Sequence, residues 1–206
     1  MEHLILLATD IFGETGPVRE LAAHFEERGY GSAIVSPYAG KCAFTDEEAA
    51  YAFFLQRGGV APYAEKIRAR LRELTKPLVC IGFSAGAAAL WRALAVPEAG
   101  DVETAILFYG SQIRAASALQ PRCPALLVFP AEEAHFSVPE LIDCLQGTPG
   151  VYCTTVPWLH GYMNSLSAHF NREGSRRSLA WLEEVLGRPA GERHGGDIFR
   201  SLLSRD

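Results

Sequence analysis

The sequence has no Cys-x-x-Cys pair, no excess of basic residues and no apolar run of bilayer-spanning length. Its five cysteines, Cys42, Cys80, Cys123, Cys144 and Cys153, are odd in number and widely spaced. That pattern signals neither a disulfide framework nor a zinc site. Cys80 and Cys153 lie within apolar runs and read as small buried hydrophobes. A formal net charge of -5 supplies no basic footprint for nucleic acid and no attraction to an anionic membrane surface. Met1-Glu2-His3 lacks the positive n-region of a signal peptide, and the apolar run 4–8 is shorter than an h-region. The expectation is a cytoplasmic protein with neither a nucleic-acid nor a membrane partner.

What is present is enough apolar material for a real core. Of 206 residues, 49% are hydrophobic and 21% charged, which suits one globular domain of ordinary size. Strand-length apolar runs at 3–9, 32–36, 78–83, 104–109, 125–129 and 151–157 alternate with helical patterns. Pro17 opens a helix that Gly29 ends, with Val18, Leu21, Ala22 and Phe25 on one face. Thr45 and Asp46 offer an N-cap for a helix over 47–56, and Gly58-Gly59 separates it from another over 63–74. Further helices are expected over 85–95, 139–144 and 175–186. The domain should span 1–187, with 188–206 a C-terminal tail or extension carrying a brief apolar patch at 198–203.

This alternation implies an α/β fold: a mostly parallel sheet of about six strands with helices on both faces, since parallel neighbours need crossovers. In such sheets the chemistry gathers at the carboxyl ends of the strands.

At one of those ends lies Gly82-Phe83-Ser84-Ala85-Gly86, with a strand before it and a helix after it. A Gly-x-Ser-x-Gly turn so placed lifts the serine hydroxyl above the sheet on a strained backbone, and the glycines let strand and helix approach closely. Serine is a weak nucleophile without a base in reach, and the base needs an acid to orient it. In enzymes built on such an elbow the acid and then the histidine follow in chain order, each just past a strand. His160, directly after the last strand, suits the base, with His135 and His169 as alternatives. Glu132 and Glu133 follow the fifth strand and are the candidate acids, since no aspartate is there. An oxyanion needs two backbone donors. The N–H of Ala85 is one, and the N–H of Ile11, in the loop after the first strand, suits the other. Asp10 in that loop is either part of the site or a turn residue.

Taken in order, these residues resemble the dienelactone hydrolase family, from about residue 3 to 186. The resemblance rests on Asp10-Ile11-Phe12-Gly13, the elbow, Tyr109-Gly110, a strand led by Pro124, the pair His135-Phe136, and His160 followed by Gly161-Tyr162. It implies a trimmed α/β-hydrolase fold whose six strands, in this chain's numbering, lie in the order 2-1-3-4-5-6. It implies cleavage of a small ester or lactone by a nucleophile–histidine–acid triad with no cofactor or metal: Ser84, His160 and Glu133, with Ile11 and Ala85 as oxyanion donors. Counting without a gap from Pro124 places the acid on Glu133, whereas aligning on His135-Phe136 places it on Ala134. Asp10 matches a loop carboxylate near the nucleophile, and Asn164 stands where the family's namesake has a substrate-binding arginine, so both are expected at the substrate. That enzyme also uses cysteine where this chain has Ser84, and dienelactone itself is not the expected substrate.

Two other readings share these residues: a non-catalytic binding module that kept the elbow, and an acyltransferase. The aromatics Tyr38, Phe44, Tyr51, Phe53, Phe54 and Tyr63 line a pocket or pack the core, and Lys41 and Arg57 are either contacts for an anionic substrate or surface charges.

Overall fold

The computed structural model describes residues 3–40, 42–44, 46–74, 78–97 and 100–203. Lys41 and Thr45 lie outside the described residues. Six strands form one parallel sheet: β1 (Leu4–Ala8), β2 (Gly31–Val35), β3 (Leu78–Phe83), β4 (Val102–Phe108), β5 (Ala125–Pro130) and β6 (Val151–Val156). Their order is β2-β1-β3-β4-β5-β6, as the resemblance implies, and every neighbouring pair is parallel.

Parallel strands covered on both faces read as unbroken apolar runs, and the pleat sorts them into two layers. Leu6, Ala8, Cys80, Leu107, Leu127 and Phe129 point into one core with α2 (Glu47–Gln56), α3 (Val60–Glu73), α4 (Ala85–Ala93) and α5 (Val138–Gln146). Ile5, Leu7, Val79, Ile81, Phe108 and Val128 point into the other, with α1 (Gly16–Glu26) and α6 (Arg172–Gly187). Among the described residues no helix is long and apolar enough to cross a membrane.

Element boundaries differ from expectation where caps decide them. The Asp46 carboxylate accepts from the Ala49 N–H, 2.8 Å, and starts α2. Gly59 at φ 69 is the N-cap of α3, which therefore begins three residues earlier than apolar spacing suggests. The Asn171 side chain accepts from the Gly174 N–H and starts α6 at Arg172 rather than at 175. The fourth strand stops at Phe108, because Tyr109 turns out of it at φ 40.

Residues 188–203 return to the second core. The buried Arg193 guanidinium donates to Glu103, 2.6 Å, and to the Arg188 and Leu186 carbonyls. A short 3-10 turn (Gly196–Phe199) and α7 (Arg200–Leu203) follow, burying Ile198, Phe199 and Leu202. The Trp181 indole N–H donates to the Ile198 carbonyl, 2.7 Å, so this segment satisfies a polar group that the core would otherwise strand.

Candidate active site

β3 ends against the start of α4 with Ser84 between them at φ 51, ψ -113, a conformation an L-residue adopts only under constraint. The Ser84 N–H donates to Phe108 of the neighbouring strand at 3.0 Å, and its carbonyl accepts from Ala88 at 3.1 Å. The flanking glycines are required by contact. A Cβ on Gly82 would lie 2.8 Å from the Ala87 Cα, and one on Gly86 would lie 2.3 Å from the Ala8 carbonyl oxygen. Both sites are closed to any side chain.

His160 stands in the turn after β6, its ring 5.1 Å from the Tyr109 ring. Its Nε2 is 2.9 Å from the Ser84 hydroxyl and its Nδ1 is 2.7 Å from Glu133 Oε1. The network assigns the tautomer: Nδ1–H donates to the carboxylate, leaving Nε2 to accept from the serine O–H. Glu133 pairs backbone to backbone with Phe136 in a tight turn after β5, which aims its side chain inward; Glu132 is exposed. Of the two candidate acids the structure brings Glu133 to His160, and the alternative alignment on Ala134 has no carboxylate to offer. His135 and His169 line the same cavity as Ser84 without being hydrogen-bonded to it among the described residues.

The cavity over Ser84 holds about 420 Å³ and is bounded by Ile11, His160, Glu133, Tyr51 of α2 and Arg114. Neither the Ile11 nor the Ala85 N–H has a hydrogen-bond partner among the described residues. The Ile11 carbonyl is held by the Tyr38 hydroxyl at 2.6 Å, which fixes the loop that presents it. The Tyr63 hydroxyl reaches the Thr9 carbonyl at 3.0 Å and anchors the same loop one residue pair earlier. Tyr38 and Tyr63 are thus scaffolding for the loop after β1, a role no spacing in the sequence signals. Phe54 is core, Phe44 and Phe53 pack on Tyr38, and of the six aromatics only Tyr51 faces Ser84's cavity. Arg57 lies over the Phe53 ring, 4.8 Å to its centre, and is not in that cavity.

Asp10 and Asn164 meet next to the Ser84 site. Both are buried and bonded to each other, Asn164 Nδ2 donating to Asp10 Oδ2 at 2.6 Å. The other carboxylate oxygen accepts from the Phe12 N–H, and the Asn164 carbonyl accepts from Leu166. They line a neighbouring cavity instead of the one over Ser84. Burial raises the Asp10 pKa to about 6, against the opposing pull of Asn164, the Phe12 N–H and His160, while Glu47 pushes it further up.

A carboxyl that titrates higher folded than unfolded binds more protons in the native state, so its contribution is present below the unfolded value and lost as pH rises through the folded one. Two pKa units correspond to about 3 kcal/mol. Denaturant unfolding of the wild type and Asp10→Asn between pH 4 and 7 should show the wild type losing about that much relative to the variant. Parallel curves would mean that Asp10 titrates normally.

No family model matches the chain, and no curated protein does. Solved structures do. A dienelactone hydrolase-like promiscuous phosphotriesterase from metagenomic libraries aligns at TM-score 0.68 and 13% identity, covering 95% of this chain and 87% of that one. This chain has the α/β-hydrolase fold. A dienelactone hydrolase from Anabaena variabilis aligns with this α/β-hydrolase domain at TM-score 0.60 and 18% identity, over 88% and 83% of the two chains. An α/β-hydrolase from a lagoon-sediment metagenome aligns at 0.56 and 12%, over 89% and 92%.

Proposed function

We propose that this α/β-hydrolase is a serine hydrolase that cleaves a small carboxylic ester or lactone through an acyl-enzyme. The observation that carries the reading is the continuous hydrogen-bonded chain from Ser84 through His160 to Glu133, 2.9 and 2.7 Å, beside a cavity of about 420 Å³. Ser84 Oγ attacks the carbonyl carbon as His160 Nε2 takes its proton. The oxygen of the tetrahedral intermediate is held by the N–H groups of Ile11 and Ala85, which face no competing acceptor. The imidazolium is stabilised by Glu133 and returns the proton to the leaving alkoxide. Water, deprotonated by His160, then attacks the acyl-serine, and collapse of the second intermediate frees the acid and restores the hydroxyl.

A fluorophosphonate probe tests the reading directly, because only an activated serine displaces its fluoride. Intact-mass and peptide analysis should find one adduct, on Ser84. A folded protein that stays unlabelled would instead be the non-catalytic binding module. Acyl transfer would use the same adduct chemistry and is distinguished by products formed when alcohols or amines are added.

The two glutamates are separable by the same chemistry. Glu133→Gln should lower kcat on p-nitrophenyl acetate by roughly 10²–10⁴-fold, since the amide no longer fixes the tautomer or stabilises the imidazolium. Glu132→Gln should stay within about threefold, as expected of an exposed side chain away from the network. Equal effects of the two would remove Glu133 from its assigned role.

A further inference from the structure

Beside the Ser84 cavity a second cavity of about 350 Å³ opens between α1 and α6. Val18 and Leu21 of α1, Leu179 of α6, and Phe83, Met163 and Phe170 make most of its wall apolar. Neither Ser84 nor His160 lines it. Its polar lining is the Asp10 carboxylate with the Asn164 amide, the buried pair described above, together with Glu20, His24, Ser165 and Ser175. Each carboxylate oxygen accepts a single hydrogen bond, one from Phe12 and one from Asn164. A carboxylate can accept about four, so acceptor capacity remains. The Asn164 amide is engaged at both ends, by Asp10 and by Leu166, and offers a ligand less.

We infer that this cavity is a second ligand site, taking a small apolar molecule with an uncharged hydrogen-bond-donating head, such as a primary alcohol, whose hydroxyl donates to Asp10. The apolar walls supply the affinity and the single buried acceptor supplies orientation, the usual division of labour in small-molecule sites. The volume lies near the lower end of such sites, roughly 300–1,000 Å³, and fits a short chain or one ring. An anionic head is rejected, because it would bring a further negative charge beside the buried Asp10 carboxylate in a cavity that Glu20 also lines. The site is independent of the esterase reading, since its lining contains no member of the Ser84–His160–Glu133 chain.

The test uses two probes of equal chain length, 1-hexanol and hexanoate, titrated at pH 8 into the ¹⁵N-labelled full chain. 1-Hexanol should bind saturably with Kd on the order of 1 mM, in keeping with a ligand of few atoms. Its amide shifts should centre on residues 10–12, 163–165 and the facing turns of α1 and α6. Hexanoate should bind at least tenfold more weakly. Leu179→Trp, which fills the cavity from α6, should weaken 1-hexanol at least tenfold and leave ester turnover within about threefold. Protein phosphonylated on Ser84, or Ser84→Ala if no adduct forms, should bind 1-hexanol as the wild type does. Because the shift map and the hexanoate comparison are made on wild-type protein, a Leu179→Trp chain that fails to fold does not remove the test. Absence of saturable binding overturns the inference, as does equal affinity for the two probes. Shifts centred on residues 47–51, 84 and 160 and lost on phosphonylation also overturn it, since the ligand would then occupy the Ser84 cavity.

Discussion

Ser84→Ala should lower kcat/KM for short p-nitrophenyl esters by roughly 10⁴-fold or more while leaving the fold intact. The size follows from the division of roles. In the proposed mechanism the hydroxyl is the only atom that makes the new bond to carbon, and what would survive its removal is carbonyl polarisation by Ile11 and Ala85 and deprotonation of water by His160. Alanine keeps the Cβ, so the strained φ of 51 at this position is unchanged and the loss is chemical. Ser84→Gly makes the complementary measurement. Glycine adopts that backbone freely, so this variant should be as inactive as the alanine variant yet more stable than it by about 1 kcal/mol in denaturant unfolding. Turnover of Ser84→Ala within tenfold of wild type would take the serine out of the reaction.

Gly86→Ala should be the most damaging single methyl in the molecule. An added Cβ would stand 2.3 Å from the Ala8 carbonyl oxygen and 2.4 Å from that of Thr9, and both are backbone. Neither can swing aside: Ala8 lies in β1, paired on both sides by β2 and β3, and Thr9 is held by its N–H to Val35 and by the Tyr63 hydroxyl on its carbonyl. Relief would require α4 to move away from the sheet, and α4 is buried along nearly every residue. The expected cost is at least about 3 kcal/mol, the range in which overpacking against backbone prevents accumulation of folded protein. Gly187→Ala is the control, because a Cβ there meets nothing within 4 Å. It should be neutral or slightly stabilising at the end of α6. If circular dichroism and unfolding show Gly86→Ala to be as stable as Gly187→Ala, the close approach of β1 and α4 is wrong.

Local pattern carried far in this chain. The strands are legible because sheets covered on both faces need apolar side chains at every position, and Leu4–Ala8 and Leu78–Phe83 satisfy that without interruption. The elbow is legible because its demands fall on five consecutive residues: a strand, two glycines at contacts with backbone, and a serine between them. The strand order followed from the resemblance and not from any of the runs taken singly. Helix starts were less legible where a cap competes with apolar spacing, as at Gly59 and Asn171.

The sequence by itself determined the parallel α/β architecture, the position of the Gly-x-Ser-x-Gly turn and the presence of a post-strand histidine, since each depends on residues adjacent in the chain. The resemblance favoured Glu133 over Glu132 by the gapless count from Pro124, and the tertiary structure sets the Glu133 carboxylate 2.7 Å from His160 while Glu132 is exposed. Tertiary structure alone placed Asp10 and Asn164, 154 positions apart, against each other. It also returned Arg193, Ile198 and Phe199 to the second core. The pairs Asp10–Asn164 and Arg193–Glu103 join segments far apart in the chain, and the free energy of burying or pairing a side chain depends on which partner the fold delivers to it. The placement of Ser84 between a strand and a helix needed no such partner; its hydroxyl's contact with the His160 imidazole did.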